Sequence, residues 1–521
     1  MRFYLAYRAC FYFLVAGIAL MLGRHVAGMA LQAAHESNYA DSAFLYYLSW
    51  LIEKHDAVPF RDILETNYPG TYGAYGLITK IWGYTDRGYR TANFCLLATL
   101  LGMSFLLLRK ISITAAIIGL LYFTEYYLDN PTLALQREYL AMFPIVGALL
   151  IAERNCSHNF MTGFLIGLCF AAAATIKPPL CIGLPFVLWY AAINCKSDTA
   201  YLRRIALITS SAGAGFLAGA CLCLLWLFTT GALQDFITIT TQYLPLYLQL
   251  NLQSGSEEST LLHMPSLAEL FNILWQPYFE SVPILLSLAF LALGRNRQKN
   301  RLALLLALLV IAYRLYVFFS IKNFDYHYLP AKYFMFIAGA TAMTVLPAQV
   351  AWPFRLMHLA WIGFVFHFLL QAQSDLSFGD TKASLIHTTT KNDLITFLRE
   401  HKRPQDSVQI RVQGTYGPVF PAILEMQIPL AIPRFPLNQV FYHHINSPYI
   451  VSIKKEYVQA LRTTLPTYIV DDNGFDFYKS ISGDHAFSEY DDFIRENYHP
   501  VYDNLKRAEA PDQFIVYQRN P

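Results

Sequence analysis

The chain is poor in charged residues and has no excess of either sign. Only 14% of its 521 residues are charged, with 39 Lys and Arg against 36 Asp and Glu. Soluble domains contain about 25% charged residues, so most of this chain cannot face water. A disordered protein needs high charge and few aromatics, and a nucleic-acid binder needs a basic surface, so both classes are excluded. With 55% hydrophobic and 15% aromatic residues, the composition indicates a polytopic membrane protein.

Patterns typical of disulfide frameworks, metal sites and phosphate loops are also missing from the sequence. The chain has 8 cysteines, and none of them follows Cys223. No Cys-x-x-Cys pair and no Cys/His zinc spacing occurs. Residues 373–521 contain no Gly-rich phosphate loop, and no internal repeat is visible. The sequence therefore indicates no cofactor, and it does not indicate a divalent metal.

Long apolar segments fill most of the chain before residue 373. A membrane-spanning helix needs about 20 apolar residues, and about eleven segments meet or approach this length. They lie near residues 9–30, 92–108, 112–128, 139–152, 160–176, 179–194, 205–229, 280–294, 302–320, 331–347 and 355–372. Basic residues concentrate in cytoplasmic loops. The Lys and Arg clusters in every second loop between spans therefore predict that the N-terminus is on the cytoplasmic side. With an odd number of spans, the C-terminus is then outside.

Charge content changes along the chain and predicts two domains. Residues 1–372 are about 11% charged, whereas residues 373–521 are about 22% charged, close to a soluble domain. We therefore expect a mainly α fold, with a polytopic helical membrane bundle in 1–372 and an external α/β domain in 373–521. In that domain the sequence predicts helices at 392–401 and 491–497, strands at 407–412, 467–470 and 513–517, and a turn at 471–474.

Residues 31–90 form a long first external loop with two amphipathic stretches, near 41–54 and 70–83. Phe44, Tyr47, Leu48 and Leu51 share one helical face, which is typical of a helix in the membrane interface. The loop is also rich in carboxylates. We select Asp41, Asp62 and Glu36 as candidate catalytic residues and Glu65 as a substrate-binding residue.

A carboxylate at a membrane face acts as a general base when burial shifts its pKa towards the working pH. The alternative is a solvated loop whose acids cap helices.

Three further groups of polar residues stand between apolar segments. They are Gln136-Arg137-Glu138, Lys177-Pro178-Pro179 and the segment from Lys322 to Pro330, which contains Tyr326 and His327. Arg, Lys and His donate hydrogen bonds to phosphate oxygens, so these groups are candidates for binding a phosphorylated lipid. Each group also has a purely structural explanation. Arg137 and Glu138 form an ordinary ion pair, Lys177 extends its ammonium to the membrane interface, and the aromatic residues from 322 to 330 belong to an interfacial aromatic belt.

The order of these elements resembles the GT-C superfamily of polytopic glycosyltransferases, such as the bacterial aminoarabinose and protein-mannose transferases. The similarity lies in Ala40-Asp41-Ser42-Ala43-Phe44 followed by Pro59-Phe60-Arg61-Asp62 and Asn67-Tyr68-Pro69-Gly70. Arg87–Arg90, Gln136-Arg137-Glu138 and Lys322 with Tyr326-His327-Tyr328 also look like elements of bacterial relatives. The resemblance implies an essential first-loop carboxylate. Many members have adjacent acids in this loop, whereas Ala40 and Ser42 flank Asp41 here, so Asp41 and Glu36 both remain candidates for the base.

The resemblance also implies the reaction and its partners. We expect an inverting glycosyltransferase that moves a sugar from a polyprenyl-phosphate donor to an envelope acceptor, in the lipid bilayer of a bacterial inner membrane and at its periplasmic face. The alternatives are a transporter or flippase of lipid-linked sugars and a receptor with an external sensing domain. Transporters often show repeats and a charged midplane, which this sequence lacks.

Overall fold

The computed structural model describes most of the chain. The described residues are 2–38, 40–154, 159–194, 200–246, 297–319, 324–344, most of 353–367, 381–412, 417–437, 447–472, 488–505 and 513–521.

The described chain is mainly helical. Its α-helices are α1 Arg2–Ala33, α2 Ala40–Lys54, α3 Pro69–Trp82, α4 Asp86–Leu108, α5 Ile113–Asp129, α6 Arg137–Glu153, α7 Asn159–Ile176, α8 Leu184–Asn194, α9 Tyr201–Thr229, α10 Leu233–Thr238, α11 Arg297–Phe319, α12 Leu329–Thr344, α13 Thr381–His401, α14 Val419–Glu425, α15 Pro448–Thr464 and α16 Ser488–Asn497. Short 3₁₀ helices cover Pro131–Leu133, Pro178–Gly183 and Asp325–Tyr328.

Within the described residues the predicted spans are helical apart from Ser112, and residues 179–183 of one span form a 3₁₀ helix. Five helices in this part of the chain are long and apolar enough to cross a membrane, at 5–33, 86–108, 159–176, 201–229 and 300–317. These helices identify a multi-pass membrane protein. The predicted span near 280–294 lies outside the described residues, and the number of eleven spans and their sidedness stay predictions.

The described residues form two compact units. The first contains those of 1–35, 93–222 and 264–379, and the second contains those of 36–92, 223–263 and 380–521. Most of the predicted first loop thus belongs to the same unit as the C-terminal segment. The linear domain boundary near residue 372 stays a prediction.

Small residues set the packing of α7 against α9 in the first unit. Cβ atoms added to Gly163 and Gly167 would overlap backbone carbonyl oxygens of Ile208 and Ala212. A Cβ on Gly215 would overlap the Phe164 carbonyl in the same way. The two backbones therefore touch directly, as in membrane helix pairs with small residues at four-residue spacing.

In the second unit α2 is buried on nearly all its faces. Residues 42–51 are all buried, although the sequence predicts only one apolar face. The rings of Phe44 and Tyr47 lie 4.9 and 5.9 Å from that of Phe420. The Tyr47 hydroxyl also donates to the Ile428 carbonyl at 3.1 Å. Residues from the C-terminal segment therefore cover a helix that sequence reasoning assigns to the membrane interface.

The C-terminal segment contains a four-stranded sheet. Its strands are β1 Val408–Arg411, β2 Tyr468–Asp472, β3 Tyr498–Asp503 and β4 Phe514–Arg519, in the order β1-β2-β4-β3. The β1–β2 pair is parallel, and the other two pairs are antiparallel.

The three predicted strands are present. β3 is not predicted, because it contains Pro500, which counts against a strand and here lies beside an irregularity in the pairing with β4.

The predicted turn at 471–474 is wrong for its first two residues. Asp471 and Asp472 belong to β2, and residues 473 and 474 lie outside the described chain. Asp471 is buried and its oxygens lie 2.8 and 2.5 Å from the Arg411 guanidinium on the neighbouring strand. The buried ion pair therefore replaces the solvated turn that a run of Asp, Asn and Gly suggests.

Candidate functional site

The structure places the predicted site residues in both units. Glu36, Asp41, Asp62 and Glu65 belong to the second unit, and Arg137, Glu138, Lys177, Tyr326 and His327 belong to the first. Lys322 lies outside the described residues.

The two leading carboxylates flank the short connection between α1 and α2. Glu36 lies in the irregular segment 36–38, and Asp41 lies in the first turn of α2. The Arg90 guanidinium donates to the Glu36 carbonyl oxygen at 3.0 Å. The Asn38 amide donates to the Asp86 carboxylate at 3.1 Å. Side chains of α4 therefore hold the backbone between the two carboxylates.

The surroundings of Glu36 suit a general base. Burial raises the pKa of Glu36 to about 7. A carboxyl group with a pKa near the working pH is present in both protonation states, which is the condition for efficient proton transfer. Asp41 is half-buried, and the helix dipole favours its negative charge at the N-terminus of α2. Both residues thus have an environment compatible with the predicted role.

Asp62 makes contacts that hold its own loop. Its carboxylate accepts two hydrogen bonds from Arg61, at 2.9 and 2.7 Å, and one from the Val58 amide at 2.8 Å. Bonding to Arg61 is the main reason that the pKa of Asp62 lies below its usual value. The carboxylate is therefore held ionised and already has several donors.

The Glu65 carboxylate also bonds to its neighbours in the chain. Its side chain is buried, and Oε1 accepts hydrogen bonds from the amides of Thr66 and Asn67 at 2.5 and 3.3 Å. These bonds order the turn before α3, which begins with Pro69. The contacts hold the loop itself, but Glu65 is buried rather than solvated and among the described residues no side chain caps α3, so the helix-capping alternative does not apply to it.

The first unit brings together polar residues that are far apart in the sequence. Lys177 donates to Glu138 Oε1, and the Tyr316 hydroxyl donates to the same oxygen at 2.9 Å. His327 Nε2 lies 3.6 Å from that oxygen. Glu138 is fully buried. We call Arg137, Glu138, Lys177, Tyr316, Tyr326 and His327 the Glu138 cluster.

Helix ends position the members of the Glu138 cluster. Leu135 has a positive φ of 56°, and its turn directs the chain into α6, which begins at Arg137. Pro178 cannot continue α7, so Lys177 leaves that helix in an extended conformation. His327 lies in a 3₁₀ turn beside Asp325, whose carboxylate accepts a hydrogen bond from Asn130 at 3.0 Å.

Basic side chains outnumber acidic ones in the Glu138 cluster. Arg137 interacts electrostatically with Glu138, so the side chains of Arg137 and Lys177 both stand beside one carboxylate. The Lys177 ammonium also lies 5.7 Å from the ring centres of both Tyr316 and Tyr326, within the range of a cation–π interaction. Tyr316 is missed by sequence reasoning because it lies inside an apolar helix, where nothing distinguishes it from core residues.

The structure offers no candidate metal centre within the residues it describes. No group of three or more His, Cys, Asp or Glu side chains in that part of the chain could hold an ion.

Comparisons with known proteins find likeness in structure, at low sequence identity. No family model matches the chain, and no curated protein does. Among solved structures, the apo form of the oligosaccharyltransferase from Archaeoglobus fulgidus is similar, with 13% sequence identity and a TM-score of 0.47. The match covers 98% of this chain and 76% of that one. We therefore base the function on residues of the chain itself.

Proposed function

We propose that the protein is an inverting membrane glycosyltransferase that moves a sugar from a polyprenyl-phosphate donor to an envelope acceptor. The proposal places it in a bacterial inner membrane, with the reaction at the periplasmic face. The observation that carries it is the pair Glu36 and Asp41, which flank a connection held by Arg90 and Asp86. An essential carboxylate at this place is what the resemblance to the GT-C superfamily implies.

In the proposed step, a first-loop carboxylate accepts the proton of an acceptor hydroxyl. The hydroxyl oxygen forms a bond to the anomeric carbon of the donor sugar, and the bond from that carbon to the phosphate oxygen breaks. The polyprenyl phosphate leaves with the electron pair. Attack from the face opposite the leaving group inverts the anomeric configuration, and no covalent enzyme intermediate forms.

Asp41 and Glu36 are the two candidates for the base. Asp62 is better suited to a structural role, because its bonds from Arg61 and Val58 hold its loop and its ion pair lowers its pKa, which makes it a weaker base. Glu65 holds the amides of Thr66 and Asn67 and is assigned the same kind of role.

For the donor phosphate we propose the Glu138 cluster. Arg137 and Lys177 outnumber the Glu138 carboxylate, and a protonated His327 would add a further positive charge. The guanidinium group presents paired donors that match phosphate oxygens. Tyr316 and Glu138 would orient Lys177 rather than bind phosphate themselves.

The test uses the purified full-length protein in vesicles with a radiolabelled polyprenyl-phosphate hexose and an extract of envelope glycolipids as acceptor. We expect release of polyprenyl phosphate together with labelled product. Asp41→Asn or Glu36→Gln should reduce the rate by about a hundredfold to ten-thousandfold in the case of the true base. Glu400→Gln is the matched control, because Glu400 is an exposed carboxylate of the second unit.

The same vesicles test the transporter alternative. A transporter would move the labelled lipid between leaflets without cleaving the bond between sugar and phosphate. Movement of intact donor with no release of polyprenyl phosphate would contradict the proposed function.

A further inference from the structure

Lys391, on α13 in the C-terminal segment, is a buried lysine with three oxygen partners. Its ammonium lies 2.8 Å from the Asp86 carboxylate and 3.0 Å from that of Glu425, and it donates to the Ser37 hydroxyl at 3.3 Å. Only 3% of the residue is exposed. Burial is the largest single effect and lowers the pKa of Lys391, but the Asp86 and Glu425 carboxylates together outweigh it, and the pKa lies above its usual value. The ammonium therefore stays charged, and each of its three donors has an acceptor.

The contacts of Lys391 lead directly to the connection that carries Glu36 and Asp41. Asp86 binds Lys391 through one oxygen and the Asn38 amide through the other. The Asn38 side chain in turn accepts a hydrogen bond at 2.8 Å from Ser42, the residue after Asp41. A continuous chain of hydrogen bonds thus runs from α13 into the first turn of α2.

We propose that Lys391 is a positioning residue for the first-loop carboxylates. It holds Ser37 directly and Asn38 through Asp86, and it thereby sets the backbone geometry of Glu36 and Asp41. No contact joins Lys391 to either carboxylate among the described residues, so it acts through other residues. The inference rests on the proposed function only where it concerns turnover, because the effect on the backbone is independent of the reaction.

The sequence predicts a C-terminal domain that covers the site without supplying the chemistry. Lys391 adds a positioning role to this prediction, since a residue of the C-terminal segment would order the part of the chain that carries Glu36 and Asp41. The competing explanation is that Lys391 only stabilises the fold. In that case its removal would lower stability without a selective effect on residues 36–42 or on the pH profile.

The experiment compares Lys391→Met with Lys391→Arg in the full chain, and Lys455→Met is the control because Lys455 is exposed in the same unit. The first readout is hydrogen exchange at amides 36–42. Lys391→Met should speed exchange at Asn38 by about tenfold or more, since the amide loses the support of its acceptor Asp86. Lys391→Arg should restore part of the protection, and Lys455→Met should change nothing.

The second readout is the release of polyprenyl phosphate. A misplaced base lowers kcat by about tenfold to a hundredfold, while KM for the polyprenyl-phosphate hexose stays within about twofold. In Lys391→Met, the pH at which turnover reaches half of its maximum on the acid side should also shift. If Lys391→Met does not fold, Asp86→Asn provides the second variant, because it keeps side-chain volume and removes the charge that Lys391 binds.

Unchanged exchange at residues 36–42 in folded Lys391→Met would overturn the proposal, and so would an equal change in Lys455→Met. A normal kcat with an unshifted pH profile in an active protein would overturn it too. If the wild type releases no polyprenyl phosphate but exchange at Asn38 rises selectively, the proposed function fails while the structural role of Lys391 is supported.

Discussion

Gly167 on α7 lies against the backbone of Ala212 on α9, with no room for a Cβ atom between them. We predict that Gly167→Ala lowers the free energy of unfolding by about 1–3 kcal/mol, because the helices must separate to admit the methyl group. Thermal unfolding of the purified protein in detergent measures the change. Gly213→Ala is the matched control, since no atom lies within 4 Å of a Cβ at Gly213. Equal stability of the two variants would contradict the close packing of α7 and α9.

The pH dependence of the reaction should report on Glu36. If Glu36 is the base, turnover rises with pH through a midpoint near 7, because burial raises the pKa of this carboxyl to about 7 and only the ionised form accepts a proton. Glu36→Gln would then abolish this rise of turnover with pH along with most of the activity. If an active Glu36→Gln variant still shows turnover that rises with pH through the same midpoint, Asp41 is left as the base. Asp41→Asn would then remove turnover.

Ionisation of Glu36 should lower the free energy of unfolding, whereas ionisation of most carboxyl groups in folded proteins raises it. The pKa of Glu36 is raised in the folded protein, so between about pH 4.5 and 7 the folded state binds more protons than the unfolded state. Glu36 therefore lowers stability progressively as the pH rises through this window. We expect Glu36→Gln to gain stability relative to the wild type at pH 8 but not at pH 4, as measured by chemical denaturation. A difference that does not depend on pH would exclude a buried, titrating Glu36.

Loss of Lys177 should destabilise the first unit. Lys177→Met removes the lysine that forms an ion pair with the fully buried Glu138 carboxylate, and the cost is about 3 kcal/mol in the free energy of unfolding. Lys177→Met combined with Glu138→Gln should recover part of this loss, because a neutral amide then replaces the buried carboxylate. Lys54→Met is the control. It removes an exposed pair with Glu53 that contributes about 1 kcal/mol or less.

Asp471 should matter for stability and not for the chemical step. Its carboxylate is buried between strands and bonded to Arg411, so Asp471→Ala should cost about 1–3 kcal/mol by removing one of the two carboxylates that bond this arginine, while Asp491 stays in place. Asp492→Ala should change stability by less than about 0.5 kcal/mol, because Asp492 is largely exposed. Thermal unfolding and kcat, measured on the same samples, separate the two effects. A loss of kcat in folded Asp471→Ala as deep as in Asp41→Asn would overturn this assignment.

Much of the fold follows from local sequence. Apolar runs predict helices such as α7 and α9 because a spanning helix must satisfy its own backbone hydrogen bonds in lipid. The strands β1, β2 and β4 have enough β-branched and aromatic residues to be recognised, whereas β3 contains Pro500 and is not. These features depend on neighbours in the chain, and composition and periodicity therefore determine them.

The partners of the functional side chains were decided by the tertiary structure. The sequence marks Glu138 and Lys177 as polar residues at helix ends, but they are 39 positions apart, and only the folded chain makes one the counter-ion of the other. Lys391 and Tyr316 carry no local signal at all. Their roles arise because a buried charge or hydroxyl must find a partner, and that partner is supplied by whichever element the fold packs against it.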